Sequence, residues 1–434
     1  MDSVWRSTAK LPMQPKLMGD AETEVLVIGG GLTGLLCANR LTRQGIDCMV
    51  VEADTLMSGT SGYTTAKVTS QHGLIYTKLA HRFGKQAAAM YYQANQAALE
   101  AYRSLCTELP CDFQERDAYI YTGGDAAQVE REYLLVKHIG GRAALERSLP
   151  LPVPVTATVR FPQQAQLHPV KLADGLAKGL TIYEHTMVKK LQRNVAVTER
   201  GTIRAKQVIV ATHFPFVNRH GMYFMKLYQQ RSYVLGLEVK QELPGMYLDA
   251  AENGLSFRSD GNLLLLGGGG HRTGKKGGSF PFLKETAQQL YPGAPVRYRW
   301  ATQDCMTLDG LPYIGPYSPA MDKVYTATGF GKWGMTSAMV SAMVLTDAIT
   351  GRKNPWSALF APNRRMLWPQ LGVNLLETTG HLLRPTVPRC SHLGCALNWN
   401  KAEHSWDCPC HGSRFWEDGE LITGPALRDT KGLR

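Results

Sequence analysis

Six side chains with an appetite for metal lie between positions 390 and 411, in Cys390-Ser-His392-Leu-Gly-Cys395 and Cys408-Pro-Cys410-His411-Gly-Ser413. Thiolates and neutral imidazoles are the donors that soft and borderline metals select. The C-x-H and C-x-x-H spacings offer two sulfurs and two nitrogens. That set fits a [2Fe-2S] centre with both thiolates on one iron and both imidazoles on the other, and it also fits a tetrahedral zinc ion. The remaining cysteines, Cys37, Cys48, Cys106, Cys111 and Cys305, are scattered along the chain, the usage expected of buried thiols in a reducing compartment.

A second constellation lies near the start. Gly29-x-Gly31-x-x-Gly34 follows the apolar run Glu24 to Ile28 and opens a helical stretch from Leu32 to Gln44, and the next apolar run, Cys48 to Val51, ends in Glu52. Gly29 permits a tight turn, Gly31 lets a pyrophosphate approach the backbone, and Gly34 allows the helix to pack on the strand. The helix N-terminus then faces the phosphates, and Glu52 is placed to bind ribose hydroxyls. The pattern predicts dinucleotide binding without distinguishing NAD from FAD.

The stretch VLVIGGGLTGLLCANRLTRQG, followed by Glu52 and Gly59-Thr60-Ser61-Gly62, resembles the N-terminus of the glycine oxidase and D-amino-acid oxidase-like flavoproteins. A later block resembles that superfamily's C-terminal flavin segment. It comprises Trp300-Ala-Thr-Gln-Asp304, Thr307-x-Asp309-Gly310-Leu-Pro312-x-x-Gly315 and Ala327-Thr-Gly329-Phe-Gly-Lys332-Trp-Gly334-Met335-Thr336. Together the blocks imply FAD, held non-covalently, with Thr60, Ser61, Gly329, Gly334, Met335 and Thr336 among its contacts. Elementary electrostatics agrees with the second block. A glycine-rich turn entering an apolar helix aims free N–H groups at whatever precedes it, and such donors favour a flavin that gains negative charge on reduction. Gln166-Leu-His168-Pro169 is similar to the family's proline-anchored helix, and Val188 falls where the family places an adenine-contacting backbone. The helix and turn between Leu176 and Thr181 are shorter than in that family. His72 is the histidine nearest the segment where some relatives link FAD covalently, while the matching position is Ala66.

With Leu393-Gly394, Pro409 and Gly412-Ser413 included, the cysteine and histidine segments resemble the paired loops of Rieske proteins. The resemblance implies iron rather than zinc, with Cys390, His392, Cys408 and His411 as ligands. It also implies a disulfide between Cys395 and Cys410, a hydrogen bond from Ser413 toward a bridging sulfide, and a shielding proline loop at Gly424-Pro425-Ala426. Only the short stretch from Trp368 to Arg389 precedes the first loop, so the base sheet of a Rieske domain is expected to be truncated. The chain as a whole resembles a bacterial family of FAD-dependent oxidoreductases with a C-terminal Rieske module.

These groups need a frame. The expected fold is α/β, a doubly wound FAD-binding domain with an inserted antiparallel-sheet substrate domain, followed by a small all-β Rieske-type module. Residues 1–360 form the flavoprotein, with FAD-binding parts at about 22–75, 165–215 and 300–352 and substrate parts at about 76–164 and 216–299. Residues 361–374 are read as a linker and 375–434 as the module. Within this frame Phe83 to Leu109 reads as a long helix. Cys111 to Tyr121, Thr156 to Gln166, Gln207 to Ala211, Ser232 to Val239 and Leu263 to Leu266 read as strands, and Met335 to Ile349 as a buried helix. The composition, 44% hydrophobic and 19% charged, is that of a globular protein and excludes disorder. The net charge of +12 comes from 48 Lys+Arg against 36 Asp+Glu. Its densest clusters, Lys189-Lys190, Lys275-Lys276 and Arg364-Arg365, are isolated pairs without interleaved aromatics, which argues against nucleic-acid binding. The opening residues lack the apolar core of a secretory signal and no run is apolar enough to span a membrane, so the expected compartment is the cytoplasm.

The resemblance implies oxidation of an amine or amino-acid-like C–N bond by hydride transfer to FAD, with electrons relayed through the cluster to an unidentified acceptor. Two alternatives stay open: an electron-transfer partner of another redox protein, and a tRNA-modifying flavoprotein. A ring-hydroxylating oxygenase is disfavoured, because the ten histidines outside the loops offer no closely spaced pair for a mononuclear iron, His213 and His220 being the nearest. Asp304 stands where glycine-oxidase-like members carry a carboxylate-binding arginine, which favours an ammonium over a carboxylate in the substrate. A structural pairing of Asp304 with Arg297 or Arg299 is the competing expectation. Arg231, Tyr233 and Lys332 complete the candidate catalytic set.

Overall fold

The computed structural model describes residues 2–385 and 388–431. Its first sheet runs in the order Tyr313–Pro316, Val324–Thr328, Thr202–Val210, Ala21–Ile28, Cys48–Val51, Thr181–Tyr183. Along this path all neighbours are parallel except the first pair, and a short hairpin, Lys190–Gln192 and Val195–Val197, adds antiparallel to the start of Thr202–Val210. Strands covered on both faces must be apolar throughout, and Val25, Leu26, Val27, Val208, Ile209 and Val210 are all fully buried. Helix Leu32–Thr42 crosses from the Ala21–Ile28 strand to Cys48–Val51 and packs against helix Gly334–Ile349. The starts of both helices therefore meet at the carboxyl ends of the central strands, where open α/β sheets hold their ligands.

The long helix forms as expected, over Lys85–Glu108. Its inward stripe, Tyr91, Asn95, Ala98, Leu99 and Tyr102, repeats at three and four residues, and Tyr102 Oη donates to the Met335 carbonyl at 2.8 Å. The turn between helix Pro169–Ala177 and strand Thr181–Tyr183 is as short as expected.

The second sheet has nine strands and comes from the inserted segments together with Val296–Thr307 and a short edge strand, Lys67–Val68. The expectation of an antiparallel sheet needs one correction. Gly245–Asp249 runs parallel to Gln114–Thr122, with Tyr247 beside Tyr119 and their rings stacked at 4.9 Å. That pair joins two halves of the insert that are far apart in sequence.

The module is a four-strand antiparallel meander, Asn398–Asn400, Ser405–Asp407, Arg414–Phe415 and Leu421–Thr423. Ahead of it, the segment read as linker and truncated base sheet contains a helix, Pro369–Leu383. Proline at the first helical position suits the fixed φ and missing donor, and the helix stops before Pro385. Among the described residues no helix is long and apolar enough to cross a membrane.

Candidate functional site

The glycine turn is built so tightly that its residue types are dictated. A Cβ on Gly34 would sit 1.9 Å from the Gly29 carbonyl oxygen. Ser61 Oγ accepts from the Leu32 amide at 3.0 Å and so tethers the 59–62 loop to the helix start. Glu52 is locked at its strand end by the Gly30 amide at 2.6 Å and the Asp54 amide at 2.9 Å. Burial raises its carboxyl above the ordinary range, against these hydrogen bonds. Thr60 Oγ1 donates to the Gln303 carbonyl at 2.9 Å. Val188 is buried beyond the Thr181–Tyr183 strand, two residues after Thr186, whose amide donates to the Glu52 carbonyl.

The second helix start faces the same crevice. Gly329 adopts φ +73°, and Trp333, at the N-cap of Gly334–Ile349, supplies no side-chain cap. Two helix N-termini whose own N-cap residues, Gly31 and Trp333, offer no side-chain cap, over a surface stripped of Cβ atoms, suit a dinucleotide's phosphates and a flavin's electron-rich edge. Met335 and Thr336 lie in the first turn, Thr336 Oγ1 near the Thr69 carbonyl at 3.3 Å and His72 Nε2 at 3.2 Å. His72 is a packing residue. Its ring stacks on Trp333 at 4.5 Å, Nε2 donates to the Thr69 carbonyl at 2.7 Å, and burial lowers its pKa to about 3.

Asp304 is 7% exposed on strand Val296–Thr307. Its neighbour Gln303 touches Thr60, and the next residue, Cys305, accepts at its carbonyl from the Gly331 amide at 2.9 Å. Asp304 thus sits between the two halves of the cradle. Burial raises its pKa to about 6, opposed by Lys332, a hydrogen bond from Ser232 Oγ at 3.2 Å, and Arg231. The expected pairings with Arg297 or Arg299 are not made: Arg297 bonds Glu238 at 2.6 Å and Arg299 lies over the Phe280 ring. Lys332 is exposed at the rim.

Arg231 and Tyr233 require a correction. Both are buried, and both are engaged by Glu403, which the module contributes from the turn between its first two strands. Arg231 grips the carboxylate with two nitrogens, Nε to Oε1 at 3.0 Å and Nη2 to Oε2, while Tyr233 Oη donates at 3.1 Å. Arg414 adds a contact at 2.9 Å and itself binds Asp407 at 2.8 Å. Burial alone would raise the Glu403 carboxyl, yet Arg231 and Arg414 hold it at about 2. Glu403 is a site residue that no local motif announces. Replacing Glu403 with alanine leaves two buried guanidiniums without their shared counter-ion and is expected to destabilise the protein by about 3–5 kcal/mol. An unchanged melting temperature in a calorimetric scan would contradict this.

In the module Cys390, Cys395, Cys408, Cys410 and His411 are buried together. The Sγ atoms of Cys395, Cys408 and Cys410 lie within 4.8 Å of one another, and the His392 and His411 rings are 5.0 Å apart. Hydrogen bonds from Cys390, then Cys395 and Cys410, hold the Cys408 thiol well below its ordinary pKa. Cys395 and Cys410, the pair for which a disulfide is implied, lie side by side against the ligand cysteine, so the two loops meet where that bond would join them. His392 Nε2 donates to Asn218 Oδ1 at 3.0 Å, which leaves Nδ1 as the unprotonated nitrogen, buried and unpartnered. Neither ring nitrogen of His411 has a partner. Buried, orphaned imidazole nitrogens beside a thiolate fit a metal cluster, with Asn218 orienting one ligand from behind. Ser413 Oγ accepts from the Ala426 amide at 3.0 Å and thereby ties the 424–426 loop over the cysteines.

The two centres share a wall. Gln303 Nε2 donates to the Gly412 carbonyl at 2.9 Å and Arg272 Nε to the Pro409 carbonyl at 3.1 Å. At Gly412, φ +86°, a Cβ would fall 2.3 Å from Gln229 Cγ, so only glycine seats the loop there. Gln303 therefore touches the flavin cradle through its backbone and the cluster loop through its side chain, a link 109 positions long that spacing does not reveal.

Comparison with known proteins agrees with this geometry. The FAD dependent oxidoreductase family matches residues 24–348, and the Rieske [2Fe-2S] domain matches residues 370–434. The chain is 34% identical to YhfW of Bacillus subtilis, described as a Rieske 2Fe-2S iron-sulfur protein, over 100% of this chain and 97% of that one. Glycine oxidase from Geobacillus kaustophilus superposes with a TM-score of 0.68 at 20% identity, covering 80% of this chain and 99% of that structure. L-amino acid deaminase from Proteus vulgaris gives 0.66 at 14%, covering 82% and 100%. FAD and a [2Fe-2S] cluster are accordingly the cofactors, and the chain belongs to the FAD dependent oxidoreductase family, in a form that carries a Rieske domain after the flavoprotein.

Proposed function

We propose that the protein oxidises the C–N bond of a cationic amine that lacks a nearby carboxylate, and that the electrons leave singly through the Rieske centre. Asp304 carries this reading. It is a buried acid between the halves of the flavin cradle, and the buried arginine nearest to it, Arg231, is already neutralised by Glu403. A substrate carboxylate thus finds a negative residue and no unused buried guanidinium in this cluster, whereas an ammonium finds a partner whose attraction is strengthened by exclusion of water.

Bound FAD supplies the acceptor for a hydride from the carbon next to nitrogen. The chain's own part is to hold and orient. The 29–34 turn, Glu52, Thr60, Ser61 and Val188 hold one half of the dinucleotide, and Gly329 with Gly334, Met335 and Thr336 present donors to the other. Asp304 fixes the ammonium end, and Lys332 stands at the rim as a counter-charge. Cys390, His392, Cys408 and His411 hold the cluster. A one-electron centre beside a flavin favours this route over direct reaction with oxygen, which has no need of it.

Asp304→Arg is expected to weaken amine turnover at least ~10-fold and to improve tolerance of amino acids, as an interaction of reversed sign demands. In the wild type, amine affinity should fall below about pH 6, where Asp304 takes up a proton, and Asp304→Asn should flatten that limb. Anaerobic reduction by an amine panel, followed at the flavin and cluster bands, tests the whole reading. Efficient oxidation of glycine or sarcosine with stoichiometric peroxide, equally fast after replacement of His411, overturns it.

A further inference from the structure

The two histidines of the cluster loops face different surroundings. His411 is 1% exposed, enclosed by Phe214, Phe224 and the loop seated on Gln229. His392 is half-buried, and the residue that receives its Nε2 hydrogen bond, Asn218, also lines a groove of about 710 Å³ on the flavoprotein surface. Lys189, Lys190, Arg193 and Arg219 line that groove with a single acid, Asp322. Lys189 is paired with Glu199, but among the described residues no carboxylate lies within 4.0 Å of the charged groups of Lys190, Arg193 or Arg219. Phe216 and Val217 give the groove an apolar floor.

We propose that this groove is the docking site for an acidic one-electron carrier protein, which takes electrons from the His392 side of the cluster. The proposal rests on the reading that electrons leave through the cluster, and it names the class of partner. An apolar centre with a charged rim is the anatomy of a transient interface. Unpaired cations on that rim attract a net-negative protein, raise its encounter rate and orient it, as surface charge does for electron-transfer partners. A carrier seated there is one residue, Asn218, away from a cluster ligand, whereas the His411 side is closed by the chain's own packing. The exchange is balanced with no atom or proton moving: one ferrous iron of the reduced cluster returns to ferric, and the carrier's centre gains one electron.

The test uses full-length protein with both cofactors and the cluster reduced by dithionite, so docking is measured independently of amine oxidation. The probe is a net-negative blue-copper protein in its Cu(II) form, with net-positive cytochrome c as the opposite-sign control. Wild-type reduction of the copper protein should slow roughly 10-fold or more as salt rises from about 20 to about 300 mM, because the Debye length shrinks across that range. Lys190→Glu/Arg193→Glu/Arg219→Glu should slow it by a similar factor at low salt and should speed cytochrome c. Binding of the redox-inert zinc-substituted copper protein should weaken in parallel, while the cluster EPR signal and flavin content stay unchanged. Arg219→Glu alone, one exposed side chain, should move the same way by a smaller factor. Unchanged rates and affinity in both variants overturn the proposal, as does tighter binding of single-stranded RNA that excludes the copper protein. Failure of amine to reduce the cluster, with docking intact, would instead count against the relay.

Discussion

Gly34→Val is expected to leave no folded flavoprotein, and Gly31→Val a folded one without flavin. A Cβ at Gly34 meets the Gly29 carbonyl at 1.9 Å, backbone against backbone, so the Leu32–Thr42 helix must leave the Ala21–Ile28 strand to make room. Both elements belong to the main core, and displacing one costs at least about 4 kcal/mol, a large share of a typical folding free energy. At Gly31 the nearest atom is the movable Ser61 Oγ at 3.0 Å, and the added side chain occupies the approach of the pyrophosphate instead. Flavin absorbance and far-ultraviolet circular dichroism separate the two outcomes. A cooperative, native-like melt for Gly34→Val is the result that contradicts the packing argument.

Cys408→Ser is expected to remove the iron altogether and to unfold the module while the flavoprotein survives. The module's core consists of Leu397, Phe415 and Ala426 together with the four cysteines. Three ordinary apolar side chains do not stabilise a domain of this size, so the metal cluster acts as the larger part of its interior, and ligand loss is structural loss. The flavoprotein has cores of its own and should retain FAD. The checks are iron and zinc content, low-temperature EPR of the dithionite-reduced protein, and proteolysis confined to the segment after residue 388. Stoichiometric zinc without a rhombic iron-sulfur signal in the wild type would refute the cluster. Cys395→Ser should keep the iron and loosen the loops, since Cys395 lies beside Cys410 where the two loops meet and is not among the four ligands.

What could be read from the amino-acid order was whatever is encoded locally. The Gly29 to Gly34 turn, Glu52 after its strand, the Lys85–Glu108 helix and the two cysteine-histidine loops each depend on spacings of a few residues. The helix Pro369–Leu383 was hidden by composition, because proline, arginine and tryptophan around it mimic a linker although Pro369 is the helix's first residue. The parallel pair of Tyr119 with Tyr247 and the capture of Arg231 by Glu403, 172 positions away, arise only when distant segments dock. Arg231 and Tyr233 look like substrate ligands in the sequence because they lie on a strand of the expected pocket. Their true partner belongs to another module, and nothing near position 231 signals it.

The buried run of charges from Arg231 through Glu403 and Arg414 to Asp407 also gives the fusion of the two modules a kinetic meaning. A domain on a free tether returns to its target at an effective concentration set by linker length, on the order of millimolar for short flexible linkers. A domain clamped by desolvated ion pairs does not wander and return. Dilution leaves its encounter with the flavoprotein unchanged, and a competing copy in solution finds no vacant seat. On the proposed relay, the steps between flavoprotein and module are then first order, and only arrival of the substrate and departure of the electrons depend on concentration.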